Sequence, residues 1–290
     1  MTKKYKKKYN TLIVSGGGIK GFFMLGSLQS LFDKQLLETN QIKKYIGTSV
    51  GAIINALIII GYEPKEILAN IIQYDFFKAL QFTPFHGLSG DGFLDFQNIT
   101  ILLEKMIKEK MDKIPTIEEF CTHYNISFVA VTFNYTLQKE FVISQKNAPE
   151  LNLLDALRMT SNVPFLFQPF TYNDEEYLDG FLVNNYPIDK LDIIHDTPIG
   201  IYCDSPTNKN ENKKTANGRW NMFWNVIHIP LNQLQQQKRG PYYDLLDNIK
   251  LDTSDLYEVE YYNMTPSKML DLFSNGYSQT SVQLRQDNFL

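Results

Sequence analysis

At 290 residues and 33.6 kDa the chain suits one large α/β domain, and a hydrophobic content of 43% is ample for a core. The net charge of −4 argues against nucleic acid as the main partner, and two cysteines without metal-ligand spacing, Cys121 and Cys203, imply neither a disulfide scaffold nor a zinc site. No apolar stretch precedes the first strand, as a secretory signal would require, and the longest apolar run, Val50 to Ile60, is too short to span a bilayer. The expectation is a cytoplasmic protein that visits membranes peripherally.

The chain opens on a basic arm, residues 1–9, where Lys3, Lys4, Lys6, Lys7 and Lys8 crowd together. Such an arm reads first as a solvated tail that aids solubility; contact with anionic lipid, at about 1 kcal/mol per lysine near a charged surface, is the alternative. Thr11 to Val14 then reads as a strand, Ile19 to Leu37 as a helix, Ile42 to Ile46 as a second strand and Ser49 to Ile60 as a second helix. Pro64 fits the first turn of a third helix reaching Leu80, and the glycine-rich and proline-bearing stretch Gln81 to Asp95 reads as a loop. A helix over Phe96 to Met111 follows, and Thr116-Ile117-Glu118-Glu119 opens another with a capping box. Ile126 to Asn134 and Lys139 to Ser144 pair as a hairpin, and Leu153 to Thr160 is helical up to the break at Pro164. Glu176 to Leu178 and Ile199 to Tyr202 are short strands, Asp204 to Gly218 is a polar surface loop, and helices with one strand-like piece near Leu251 to Val259 complete the chain. The alternation predicts an α/β fold, a mainly parallel central sheet with helices on both faces.

Two glycine-rich turns carry the chemistry. Gly47-Thr48-Ser49-Val50-Gly51 has the G-x-S-x-G spacing that puts a serine at the tip of a sharp strand-to-helix bend. There the hydroxyl is held clear of the backbone, and charge developing beside it meets the positive end of a helix. A serine before a helix also serves as a simple N-cap. Gly16-Gly17-Gly18-Ile19-Lys20-Gly21 turns backbone N–H groups outward at a strand end, as an oxyanion cradle requires. Gly16, Gly18 and Gly21 also satisfy the dinucleotide fingerprint, but that reading needs an acidic residue at the end of the second strand, which instead runs into Ser49. For a base, a Ser-Asp-His order is available through Asp179 with His195 or His228 among the four histidines. His195 reads as a turn residue and His228 as a packed one. Only one or two strands precede Ser49, fewer than an α/β-hydrolase has.

Four segments in order resemble the patatin-like phospholipase family. They are the triple-glycine turn with Lys20 and Gly21, the elbow around Ser49, and Ala156-Leu157-Arg158-Met159-Thr160-Ser161-Asn162-Val163-Pro164 continuing to Pro169. The fourth is Tyr177-Leu178-Asp179-Gly180 followed by Asn184-Asn185-Tyr186-Pro187. The resemblance covers residues 10–205, taken as a catalytic core, with 206–290 as a helical extension packed on the same domain. It implies a three-layer α/β/α fold and a serine acyl hydrolase acting on phospholipid or other lipid esters without metal or cofactor. It makes Ser49 the nucleophile and Asp179 the general base of a dyad. Gly16, Gly17 and Gly18 form the oxyanion hole, with Lys20, Gly21, Gly47, Gly51 and Gly180 as supporting motif positions. The family usually has a small residue after its Asp-Gly, where this chain has Phe181. Asp91, a rival Asp-Gly, reads as a turn residue. A lipid-binding protein of the same fold without catalysis is the alternative function.

Overall fold

The computed structural model describes residues 7–74, 96–168, 170–204, 230–253 and 264–286. Among these, eight strands form one sheet: β1 (Thr11–Val14), β2 (Lys44–Thr48), β3 (Ser127–Asn134), β4 (Lys139–Ile143), β5 (Phe170–Tyr172), β6 (Glu175–Asp179), β7 (Pro198–Asp204) and β8 (Asp247–Asp252). The run β3-β2-β1-β7-β8 is parallel throughout, while β4 and β6 lie antiparallel to β3 and β5 antiparallel to β6. β1 is buried along its whole length, as expected of a central parallel strand covered on both faces.

Leu12 and Val14 face the main helical layer, and Ile13 faces the other side with Ile46, Val129 and Tyr202. The main layer contains α1 (Gly21–Asp33), α2 (Val50–Ile59), α3 (Pro64–Gln73), α4 (Gln97–Lys110), α5 (Ile117–Tyr124), α6 (Leu153–Thr160) and α7 (Pro266–Gln286). On the opposite face, Tyr186, Ile188 and Leu246 cover the sheet, and the helical residues 230–239 bring the Arg239 guanidinium 5.3 Å from the Tyr202 ring centre. Among the described residues, helices therefore lie on both faces, most of them on one. No helix among the described residues is long and apolar enough to cross a membrane.

Local chemistry explains most boundaries. The Thr116–Glu119 capping box that the sequence predicts starts α5, with both reciprocal hydrogen bonds formed. Helix α1 stops at Asp33 instead of Leu37. Gln35 takes a positive φ of 55°, and the Leu36 N–H returns to the Leu31 carbonyl at 2.9 Å, a left-handed cap that folds Leu36 and Leu37 back into the core. The third helix is described to Gln73; its predicted continuation to Leu80, the predicted loop Gln81 to Asp95 and Asp91 lie outside the described residues. The strand-like piece predicted for Leu251 to Val259 overlaps β8 at Leu251 and Asp252; residues 254–259 of it, and the predicted loop beyond Asp204, lie outside the described residues, and the short β5 was not visible in the sequence pattern.

The C-terminal helix α7 packs tightly on α1. A Cβ on Gly276 would strike the Phe23 carbonyl, and one on Gly26 the Phe273 carbonyl, so each helix backbone rests on the other. Thr280 donates to the Ser27 hydroxyl at 2.7 Å within this seam. Glycine in mid-helix costs about 1 kcal/mol relative to alanine, and here the close approach of the two helices offsets it. Gly276→Val is expected to force the helices apart and destabilise the fold by about 1–3 kcal/mol. Urea unfolding tests this, and an unchanged midpoint would contradict so close a packing.

Candidate active site

The β3 register brings the two candidate residues together. Thr48, the last residue of β2, pairs with Val131, and Asp179, the last residue of β6, pairs with Thr132. The two strands run toward each other along the same edge of β3 and meet at consecutive positions. Sequence places Ser49 and Asp179 130 residues apart, yet the Ser49 hydroxyl donates to Asp179 Oδ2 at 2.6 Å.

Ser49 occupies φ 55° and ψ −129°, a conformation rare outside glycine and costing on the order of 1–3 kcal/mol. Its hydroxyl makes no capping bond to α2, so it is not a simple N-cap. The bend is tight because α2 sits directly on the ends of β1 and β2. A Cβ at Gly51 would collide with the Val14 and Ser15 carbonyls, and one at Gly47 would lie 2.7 Å from the Ala52 nitrogen. Ile54, Leu57 and Ile58 anchor the helix by burial at about 1.5–3 kcal/mol each.

Asp179 is 1% exposed. Burial pushes its carboxyl up from the ordinary range to about 7, against the opposing pull of the Ser49 hydroxyl and of the Phe181 N–H, which donates to Oδ1 at 2.8 Å. A carboxylate that titrates near neutrality is a far better base than an exposed aspartate. Phe181 contributes through its backbone here, so the bulky residue after the Asp-Gly pair does not disturb that hydrogen bond.

The triple-glycine turn lies against the elbow: a Cβ on Gly16 would come within 3.3 Å of Ser49 Cβ. The Gly16 N–H donates to the Asn185 carbonyl at 2.8 Å, and Asn185 Nδ2 returns a bond to the Gly16 carbonyl at 3.2 Å. Of the three glycine N–H groups expected at the oxyanion, that of Gly16 is therefore engaged by Asn185 in this structure. The N–H groups of Gly17 and Gly18 find no acceptor among the described residues, and Gly18 is solvent-exposed with φ 54°. Lys20 closes the turn through its N–H to the Gly17 carbonyl at 3.0 Å, Gly21 packs against Val50, and Gly180 lies over the Val131 carbonyl.

Several polar residues that the motifs did not single out hold this arrangement. Thr48 Oγ1 donates to the Asn184 carbonyl at 2.8 Å, so Asn184 and Asn185 clamp both glycine turns. Thr132 Oγ1 lies 2.9 and 2.8 Å from the Met159 and Leu178 carbonyl oxygens and shares its one proton between them, tying α6 to β6. Thr48, Asn184 and Asn185 lie within the segments of family resemblance and Thr132 outside them, and nothing in a single sequence marks their individual partners. His195 is far from the site. It is exposed, bonds Asp192 Oδ2 at 2.8 Å, and its carbonyl accepts from Asn10, at the opposite end of β1 from the elbow. His228 and Asp91 lie outside the described residues. Among the described residues no group of three or more His, Cys, Asp and Glu side chains is placed to hold a metal ion.

Fold and site together define an α/β protein with a strained strand–serine–helix elbow facing a buried carboxylate. A family profile described as patatin-like phospholipase matches residues 12–192. The chain belongs to that family. It is 32% identical over 189 residues to a probable lipid hydrolase of Invertebrate iridescent virus 6, covering 63% of this chain and 63% of that protein. It is 26% identical over 201 residues to an intracellular phospholipase A2 of Caenorhabditis elegans, covering 66% of this chain but 17% of the nematode protein. The crystal structure of VipD from Legionella pneumophila shares the fold with a TM-score of 0.54 at 16% identity, covering 97% of this chain and 67% of that one.

Proposed function

We propose that the protein is a serine acyl hydrolase that cleaves fatty-acyl esters of lipids, in the manner of a phospholipase A or lysophospholipase. The observation that carries this reading is the 2.6 Å hydrogen bond from the Ser49 hydroxyl to a buried Asp179. Asp179 takes the Ser49 proton as Oγ attacks the ester carbonyl. The tetrahedral oxyanion is held by the Gly17 and Gly18 N–H groups, and its collapse expels the alcohol, which receives the proton from Asp179. Water, deprotonated by the same carboxylate, then attacks the acyl-enzyme; the Oγ–acyl bond breaks, Ser49 Oγ takes the proton back from Asp179, and the fatty acid is released. These steps draw on no metal or cofactor. The basic arm would add electrostatic attraction to anionic lipid; the chain enters the fold from it at Lys7, which pairs with Asp247 at 2.7 Å. A lipid-binding protein without turnover is the competing reading, and a filled, hydrogen-bonded dyad favours catalysis over it.

The test is labelling of the full chain by a fluorophosphonate probe, with the modified residue located by mass spectrometry, alongside fatty-acid release from phospholipid vesicles. Labelling at Ser49 with release is the expected result. Vesicle binding with neither labelling nor release would favour the non-catalytic reading. Because the base ionises near 7, kcat/KM should rise tenfold per pH unit below that value and level off above about 7. A profile flat from pH 5 to 8 would remove Asp179 from the role of base.

A further inference from the structure

Ser49 can act as a nucleophile only while its peptide stays in a conformation that serine rarely adopts, so something must hold that peptide. Its carbonyl is held by α2, accepting from the Ala52 and Ile53 N–H groups at 2.9 and 3.2 Å. Its N–H has a different anchor. Thr160, the last residue of α6, is fully buried, and its hydroxyl accepts the Ser49 N–H at 2.9 Å. The same hydroxyl donates to the Val131 carbonyl. Val131 is the β3 residue that pairs with Thr48, so one hydroxyl stitches the elbow to the strand beside it.

Two residues further on, the Asn162 carbonyl accepts the Asp179 N–H at 2.8 Å, and the Asn162 amide donates to the Tyr177 carbonyl at 3.0 Å. The exit of α6 therefore grips the backbones of both dyad residues, one through a side chain and one through a carbonyl. It acts as a spacer that sets the separation of nucleophile and base. Engaging the Ser49 N–H also takes that donor away from the oxyanion and leaves the task to Gly17 and Gly18.

The geometry points to Thr160 as a positioning residue, whose hydroxyl locks the Ser49 peptide so that Oγ stays in register with Asp179. The assignment rests on Ser49 being the nucleophile. A purely structural threonine would matter through its methyl group and volume, and the two roles make opposite predictions. Valine keeps the shape and loses the hydroxyl; serine keeps the hydroxyl and loses the methyl.

The experiment compares wild type, Thr160→Ser, Thr160→Val and Thr160→Ala in the full chain, reading the maximal rate and half-saturation of fluorophosphonate inactivation. Thr160→Ser should stay close to wild type. Thr160→Val and Thr160→Ala should lose about 10–100-fold in maximal rate with half-saturation little changed, the cost of a misplaced reacting atom. If Thr160→Val does not fold, the alanine and serine variants still differ by one hydroxyl, and their ratio carries the result. Valine equal to wild type with serine impaired would overturn the positioning role while leaving the nucleophile in place. Wild type unlabelled at Ser49 would overturn both.

Discussion

Ser49→Ala should abolish turnover, with a loss of about 10⁴–10⁶-fold, and Asp179→Asn should lower kcat/KM by about 10²–10⁴-fold, both in folded protein. The asymmetry follows from what each variant removes. Alanine deletes the atom proposed to form the covalent bond, leaving only whatever the proposed oxyanion donors achieve with bulk water. Asparagine preserves the volume at a 1%-exposed position and can keep the Phe181 N–H bond through its amide oxygen. It presents no basic oxygen to the serine, so Oγ must attack without losing its proton to a neighbour. Fluorophosphonate labelling should disappear in the first variant and slow in the second. His195→Ala should change neither, since that ring sits exposed on Asp192 at the far end of the sheet. Activity that survived Asp179→Asn but failed in a histidine variant would replace the dyad with a triad.

The elements and the site differ in how far they could be read from sequence alone. The elbow is local: strand, G-x-S-x-G and apolar helix follow one another within a few residues, and the helix predicted from Ser49 is α2 with its first turn at Val50. The proposed base was reached through the family resemblance alone, because Asp179 has no local signature beyond an Asp-Gly after a short strand. The end-to-end meeting of β2 and β6 on β3 is a register fact between distant strands, and no local pattern encodes it. Thr160 and Ser49 are 111 residues apart, and a threonine at a helix end is ordinary in any sequence. The early end of α1 escaped prediction for another reason. Its left-handed cap is Gln35, where a glycine would have announced the stop. Small residues misled in the opposite sense at β2: Gly47 and Thr48 read as turn but form the last rungs of the parallel ladder with β3. The bond from the Gly16 N–H to Asn185 was likewise invisible, since only the folded chain brings the two together.

Asp179→Asn should also make the protein more stable at alkaline pH while lowering its activity. The carboxyl titrates near 7 in the folded chain and near 3.8 when unfolded, because burial disfavours the charged form. Between those values the folded state binds the proton and the unfolded state does not, so wild-type stability falls as pH rises through that window. Above about 7 both states are ionised, and the folded protein carries the full cost of a buried carboxylate. Asparagine is neutral at every pH and escapes that loss. The stability difference between variant and wild type should therefore be small near pH 4 and grow by roughly 2–3 kcal/mol between pH 5 and pH 8, at 1.36 kcal/mol per pKa unit. Denaturant unfolding of the two proteins across that range makes the measurement. Curves that stay parallel would mean that the carboxyl is not held in a poorly solvated site, and its fitness as a base near neutrality would go with it. Diverging curves would show that the ordinary thermodynamic drive to keep charge in water has been sacrificed at this one position. The same burial that lowers stability raises the basicity of Asp179 toward the serine it faces, so the stability lost and the reactivity gained have one physical origin.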